Sequence, residues 1–534
     1  MEAVDVLIVG AGTTGLTLAL QTLAHGATVH IIDRRVDRSR PSRAMMMHPR
    51  TLEVLRPLRL TEQMLARGDH SPVAELHLGP RTVPVKLDHF NLPDTPFPHL
   101  LLISQAQVES VLWEALDERH TKVDLGVDLV ALRGEGQGAA PSVAVVDRGG
   151  VTEEIGFRYV VGCDGQASTV RELTGIQWTG GIYSREVVLA DVDLASDLAP
   201  RHAHIAVDRR GLLFLFALGE QAPWRMLATQ RARTSRQVFT WPGHPVAAAE
   251  LQWLVNAAGL PGEITRVAWS ARVPLQHRLA ARFQAGPVFL AGDAAHSNSP
   301  AGGQGMNAGM QDAINLGWKL AFAARTGESG WESRPLLVSY ERERRPADRR
   351  ILAMTHILFW AESGTGLIAS TGRTLAVTLG AAVIPAALRQ RRLLGWGFRR
   401  LSQLGVRYRR SPLSLRPAPG RHRGRRPGER LGDGTVTCDG HRVRLHELTA
   451  APGVHLLLDS DAPQIDAEVL GEYVHLHRVS SWRGSGILAL RPDGYIGFCS
   501  PNIDQVTIHR WLSRLALGGT ERLTSWPASS RHIL

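Results

Sequence analysis

The feature that most constrains this chain is a six-residue turn near its start, Gly10-Ala11-Gly12-Thr13-Thr14-Gly15. An apolar run, Val4 to Val9, precedes it and reads as a buried strand. After it, Leu16, Leu20, Leu23 and Ala24 keep helical spacing until Gly26 stops the helix. Gly10 permits the tight turn, Gly12 lets a backbone approach a pyrophosphate, and Gly15 lets helix and strand pack closely. The N-terminus of such a helix offers unpaired N–H groups and a positive dipole end to phosphates. A second strand, Ala27 to Ile32, ends at Asp33, where a carboxylate holds ribose hydroxyls. Glycines alone would fit an ordinary structural turn; strand, helix and acid together read as a dinucleotide-binding unit. They do not choose between NAD and FAD.

Later segments bear on that choice. Val161 to Arg171 carries Asp164-Gly165 after a strand, which alone is simply a turn before a helix. Phe289 to His296 brings another strand to Gly292-Asp293, and Pro300, Gly302, Gly303, Gly305, Met306 and Asn307 lead into a helix over about 305–325. A second glycine-rich strand–helix junction, far from the first, suits a long dinucleotide that needs both ends cradled. Asp293 can accept a hydrogen bond from a ribityl hydroxyl. The amides of Gly305, Met306 and Asn307 can donate to the electron-rich edge of a reduced ring.

A chain of 534 residues exceeds what one core usually serves, so about two or three domains are expected. The sequence reads as an α/β protein whose first domain is Rossmann-like and covers 1–72, 100–178 and 281–350. A β-sheet substrate domain takes 73–99 and 179–280, a helical segment 351–410, a Pro/Gly/Arg-rich linker 411–427, and a separate small α/β unit 428–534. The net charge of +11 is carried almost wholly by arginine, with lysine only at Lys86, Lys122 and Lys319. No nucleic-acid-binding pattern accompanies that charge, so no nucleic-acid partner is expected. The basic stretch Arg389 to Arg400 reads as an amphipathic helix with a solvated face. Cys163, Cys438 and Cys499 show no metal-ligand or CxxC spacing, so the expectation is no metal and a reduced, cytoplasmic setting. The most apolar later stretch, Thr374 to Leu388, is too short to span a bilayer and contains Pro385, so no membrane association is expected.

The three glycine-rich segments, in this order, resemble the class A FAD-dependent aromatic monooxygenases, the group of para-hydroxybenzoate hydroxylase and phenol hydroxylase, and look most like the aromatic polyketide hydroxylases. Ser42-Arg43-Ala44 with His48-Pro49-Arg50, Gln105 with Glu109, Met310 to Leu320, and Tyr340 to Pro346 carry the same resemblance. It implies that Gly10, Gly12, Thr14, Gly15, Asp33 and Arg34 bind the ADP half of FAD. Arg43 and Gln105 would meet the pyrophosphate and ribityl chain, and Gly292 with Asp293 the ribityl region. Pro300 would face the ring system, Gly303, Gly305, Met306 and Asn307 its pyrimidine edge, and Asp164 with Gly165 the nicotinamide side. Between His296 and Pro300 the sequence Ser297-Asn298-Ser299 is more polar than the family pattern. The last hundred residues resemble a thioredoxin-like domain, with Arg491-Pro492-Asp493-Gly494-Tyr495 as its late hairpin. Lacking CxxC, this unit is expected to serve packing or dimer formation, and the chain to be a monomer or homodimer.

By the resemblance, NADPH or NADH reduces the flavin, O2 gives a C4a-hydroperoxide, and a phenol carbon of a polycyclic aromatic substrate attacks it. No catalytic acid or base is named. Candidates to line a substrate cavity are Phe214, Phe216, Trp224, Arg225 and Met226, with Phe90 and Phe97 in reserve, and His296 near the flavin. The same scaffold could run a Baeyer–Villiger oxidation, an oxidative rearrangement or a dehydrogenation, or act as a flavin-fold binding protein without catalysis. A nicotinamide dehydrogenase would instead bind NAD stably and hold no flavin.

Overall fold

The computed structural model describes residues 3–38, 42, 44–78, 81–87, 90–134, 142–207, 212–232, 243–325, 335–363, 391–415, 425–462, 470–480, 486–501 and 505–517. Arg43, the stretch Thr374 to Leu388 and most of the 411–427 linker lie outside them.

Three sheets organise the chain. In the first, strand Val4–Val9 lies between Val29–Asp33 and Val151–Gly162, parallel to both, and Val288–Leu290 extends the parallel set. Leu7, Ile8, Ile31, Val160 and Val161 are fully buried, as expected where helices cover both faces of a parallel sheet. Helix Thr13–Leu23 and the long helix Gln304–Ala324 pack together along it. Between Met46 and Arg67 the chain forms a short strand, Met46–Met47, and two helices, Pro49–Leu55 and Thr61–Arg67. Arg59, in a left-handed conformation at φ 62°, marks the break.

The second sheet has eight strands and is mostly antiparallel. Its two 18-residue strands, Trp178–Ala195 and Glu263–Ala280, pair along most of their length. The other six are Trp224–Arg231, Leu212–Phe216, His202–Val207, Val73–Leu78, Arg81–Lys86 and, beyond Glu263–Ala280, the short His296–Ser297. Side chains alternate between faces, so each strand feeds two cores. Val187, Leu189, Phe216, Leu227, Val273 and Leu275 belong to one, while Val188, Ala190, Leu215, Trp224, Met226 and Ala228 belong to the other.

The third sheet has six strands between Thr435 and Ser500: the hairpin Thr435–Cys438 with His441–Arg444, then Val474–Ser480, Val454–Asp459, Ile487–Leu490 and Ile496–Ser500 across the sheet. The helix Arg391–Leu401 is docked rather than merely solvated. Phe398 is buried and stacks on Phe90 at 3.7 Å between ring centroids, and Arg399 pairs with Asp94.

Candidate active site

The register aligns Val9 with both Ile32 and Gly162, so the carboxyl ends of three parallel strands open on one crevice. At its mouth Gly10 has φ +107°, and a Cβ there would lie 2.4 Å from the Cys163 carbonyl oxygen. A Cβ on Gly15 would lie 1.9 Å from the Gly10 oxygen, so both close approaches require glycine. Asp33 fixes the turn: its Oδ2 accepts the Ala11 N–H at 2.6 Å and its Oδ1 the Arg35 N–H at 2.8 Å. Arg35, which sequence reasoning passed over in favour of exposed Arg34, donates to the Ala11 carbonyl at 2.6 Å. Helix Thr13–Leu23 starts at Gly12 with no side-chain cap, which leaves its first N–H groups to the crevice.

The second junction repeats this construction. The long helix starts after Gly303, which is left-handed at φ 61° and offers no side-chain cap. A Cβ on Gly305 would meet nothing within 4 Å. The Asn307 side chain is fully engaged behind the turn. It accepts from the His48 N–H at 2.9 Å and the Thr51 hydroxyl at 2.7 Å, and donates to the Met46 and Gly303 carbonyls.

One cavity of about 480 Å³ connects these parts. Its wall includes Gly10, Gly12, Thr14, Asp33, Arg34 and Gln105 at one end, and Asp164, Gly165, Asp293, Pro300, Gly303, Gly305 and Met306 further along. At the sheet end it meets Phe214, Phe216, Leu227, Val187, Leu189 and Val273. Gly15, Gly292 and Asn307 stand just behind the wall as packing and turn residues rather than on it.

Four of the substrate candidates lie elsewhere. Trp224 and Met226 point into the core on the opposite face, because they alternate with the cavity-facing Leu227 and Thr229. Arg225 is fully buried, cross-strand from Asp191, and is consumed by an ion pair with it and by the Ser42 carbonyl. His296 is buried against Asp312. Of the two reserve candidates, Phe97 packs in the core of the first domain and Phe90 against the docked helix.

The polar groups left open in the cavity are few. Among the described residues, neither amide atom of buried Asn298 has a hydrogen-bond partner, nor does Oδ1 of Asp164. Burial pushes the Asp164 carboxyl above its ordinary value, against hydrogen bonds from Ser168 and the Val170 N–H. A chain runs from Gln276 to Gln166 (2.8 Å) and on to Ser297 (3.0 Å). His48 is held neutral, its pKa lowered to about 4 by burial, and its Nε2 donates to the Gly302 carbonyl. Two uncapped helix starts, an acid at one end, free space over Gly305 and an apolar sheet beyond fit a molecule with a diphosphate, a polyol and a flat polar-edged ring. FAD has that chemistry.

Sequence reasoning missed what holds the second junction. Asp312 accepts from the Gly292 N–H at 3.0 Å, His296 Nε2 at 2.7 Å and Arg344 Nε at 2.6 Å. Arg344 also donates to Asp348 at 2.8 Å. All four side chains are fully buried. One turn further, Lys319 and Arg491 both bind Glu343, and Asn315 donates to Glu343 and Asp493. The available signal was an acid and a lysine, Asp312 and Lys319, the two charged residues of a helix that is buried nearly throughout.

A parallel sheet with this cradle, a second helix start facing the same cavity and an attached antiparallel sheet define the class: a flavoprotein oxidoreductase with a second sheet beside its nucleotide-binding one. The family model of the FAD binding domain matches residues 3–355. Anhydrotetracycline monooxygenase of Streptomyces rimosus is 32% identical over 519 residues, 92% of this chain and 94% of that protein. The 6-methylpretetramide 4-monooxygenase of the same organism is 32% identical over 411 residues, 77% of this chain and 71% of that one. Among solved structures, the anhydrotetracycline hydroxylase of Streptomyces rimosus superposes with a TM-score of 0.74 at 29% identity, covering 97% of this chain and all of that one. The chain belongs to the FAD-dependent aromatic monooxygenases. Among the described residues, no helix is long and apolar enough to cross a membrane.

Proposed function

We propose that this enzyme hydroxylates a polycyclic aromatic substrate of the polyketide type, consuming O2 and NADPH or NADH. The observation that carries the reading is the continuity of one cavity from the nucleotide cradle, past the uncapped start of the long helix, to the apolar face of the second sheet. Relatives matched over most of both chains are named for action on anhydrotetracycline, which supports a substrate of similar size and flatness.

In this reading Gly10, Gly12, Thr14, Asp33, Arg34 and Arg35 hold the ADP half of FAD. Gln105 and Asp293 hold the middle, and Pro300 with Gly303, Gly305 and Met306 seats the ring. FAD held there would supply, after reduction by the nicotinamide, the activation of O2 that delivers one oxygen atom to an electron-rich aromatic carbon and the other to water. The protein's own part is placement and exclusion of water. Phe214 and Phe216 offer flat contact to the substrate, and Val187, Leu189 and Val273 keep the sheet end dry. Asn298 is a polar group placed to orient a substrate oxygen, since its amide has no other partner among the described residues. Asp164 and open-sided Gly165 mark where the nicotinamide approaches. The segments 1–72, 100–178 and 281–350 form the FAD domain, 73–99 with 179–280 the substrate domain, and 428–534 a thioredoxin-like unit.

The test is direct. The purified protein is loaded with FAD and mixed aerobically with NADPH, with and without an anthraquinone-type phenol. A product heavier by one oxygen atom, formed only with substrate, supports the proposal. Nicotinamide oxidation without oxygen transfer across a panel of polycyclic phenols refutes hydroxylation. Failure to retain FAD refutes the site.

A further inference from the structure

The face of the second sheet turned away from the cavity carries a group of chemistry-bearing side chains that oxygen transfer does not use. Strands Val73–Leu78 and His202–Val207 run parallel, with Glu75 opposite His204. Side chains two apart share a face, so Glu75 and His77 on one strand meet His202 and His204 on the other. His204 is buried, 5.6 Å from the Trp224 ring on that outer core; the other three are partly open to solvent.

The hydrogen bonds around this group fix which atoms face inward. His204 Nε2 donates to the Ala199 carbonyl at 3.0 Å, which leaves Nδ1 as the lone-pair nitrogen. The Thr82 hydroxyl lies 3.3 Å from His77 Nδ1 and can accept its proton, leaving Nε2 bare. His202 Nδ1 donates to Glu75 Oε1 at 2.6 Å, which leaves Oε2 free. The three bare atoms converge. His77 Nε2 is 3.1 Å from His204 Nδ1, and His204 Nδ1 is 3.3 Å from Glu75 Oε2. Without a cation the His77–His204 contact is a hydrogen bond, and a cation held by both rings would take the place of its proton.

We propose that Glu75, His77 and His204 form a binding site for a divalent transition cation of the zinc type. Metal–ligand bonds of about 2.05 Å place adjacent ligand atoms of a tetrahedron about 3.3 Å apart, close to the spacing already present. Two imidazoles and one carboxylate suit Zn2+, Co2+, Ni2+ or Cu2+ better than Mg2+ or Ca2+. Each ligand also has the outer partner that tunes such sites: Ala199 for His204, Thr82 for His77 and His202 for Glu75. Solvent takes the fourth position. The ion clamps the outer strands Val73–Leu78 and His202–Val207 together, on the side away from the flavin.

Calorimetric titration of the FAD-loaded, chelator-treated full-length enzyme with ZnCl2 tests this without reference to activity. The wild type is expected to bind one Zn2+ tightly per chain. His77→Ala and Glu75→Gln should each abolish that event, and His202→Gln should weaken it roughly 10–100-fold, as loss of an outer partner does. Flavin content and metal-free melting temperature confirm that each variant is folded, and the three substitutions on two strands do not all depend on one tolerant position. A wild type with no saturable Zn2+ event overturns the proposal. So does a Zn2+ event unchanged in folded variants, which would place the ion at another histidine group, such as His455, His475 and His477.

Discussion

Replacing His296 by asparagine should destabilise the enzyme in a pH-dependent way whose sign and window follow from the structure. The His296 ring is fully buried, with Nε2 2.7 Å from Asp312 and 3.7 Å from Asp348. Burial by itself would lower its pKa. The charges of Asp348 and Asp312, with the hydrogen bond to Asp312, outweigh burial and hold the value up to about 9, from 6.5. A base with a raised folded pKa contributes stability that is complete below 6.5 and is lost as pH rises through about 9. At about 1.4 kcal/mol per pH unit, that interval corresponds to roughly 3 kcal/mol. His296→Asn keeps a donor for Asp312 but cannot carry the charge. Urea denaturation in saturating FAD, run from about pH 6 to pH 9.5, should therefore show the variant less stable by up to roughly 3 kcal/mol where Asp348, whose pKa burial raises to about 7, is ionised, and by less below that. The two proteins should converge at the alkaline end. Lys319, whose pKa burial lowers to about 8, raises stability with pH in both proteins and so cancels in the difference. A cost of His296→Asn that stays constant across this range would refute the reasoning.

Gly305→Val places its side chain in free space and should leave the melting temperature of the FAD-free protein unchanged while weakening FAD binding at least tenfold (about 1.4 kcal/mol) by fluorescence titration; Gly10→Ala, forced against Cys163, should lower both stability and FAD content. Asn298→Leu should lower kcat/KM for the aromatic substrate roughly tenfold or more with FAD affinity intact, read by steady-state oxygen consumption and flavin titration, because it removes a directing polar group. Arg491→Met should cost about 3–5 kcal/mol in denaturant, since it leaves the Glu343 and Asp493 carboxylates buried with fewer partners, and Arg491→Lys should recover part of that.

What the sequence made legible was whatever depends on neighbours along the chain. The strand–turn–helix at Gly10 to Gly15, the acid at Asp33, and the Gly292-Asp293 and Gly303 to Asn307 junctions are local patterns, and the structure brings both junctions to one cavity. Which face of a strand meets the cavity was not legible. Trp224 and Phe214 look equally suited to an aromatic pocket. Only the pairing of Phe214 with Leu227, one position out of phase with Trp224, sends one to the cavity and the other to the far core. Residue type also misled at Arg225, whose charge is spent on Asp191 34 positions away. The Glu75, His77, His202 and His204 group was invisible for the same reason: more than a hundred residues separate its halves, and the parallel register alone joins them.

The buried charges explain how a unit without redox cysteines can matter to a flavin site. Helix Gln304–Ala324 points its N-terminus at the cavity and carries Asp312, Asn315 and Lys319 on successive turns. Asp312 holds the Gly292 turn, while Asn315 and Lys319 reach Glu343 and, through it, Arg491 and Asp493 of the C-terminal hairpin. Arg50 closes the loop by donating to the Asp493 carbonyl at 2.7 Å and to Glu53, which also receives Arg430. A buried ion network adds little net stability over an apolar core of the same shape, but it tolerates no shift of its members, because each misplaced charge would be left unpaired. The C-terminal hairpin therefore sets the axial position of the helix that presents Gly305 and Met306 to the cavity. Loosening it at Arg491 should be felt at the flavin as well as in the melting curve.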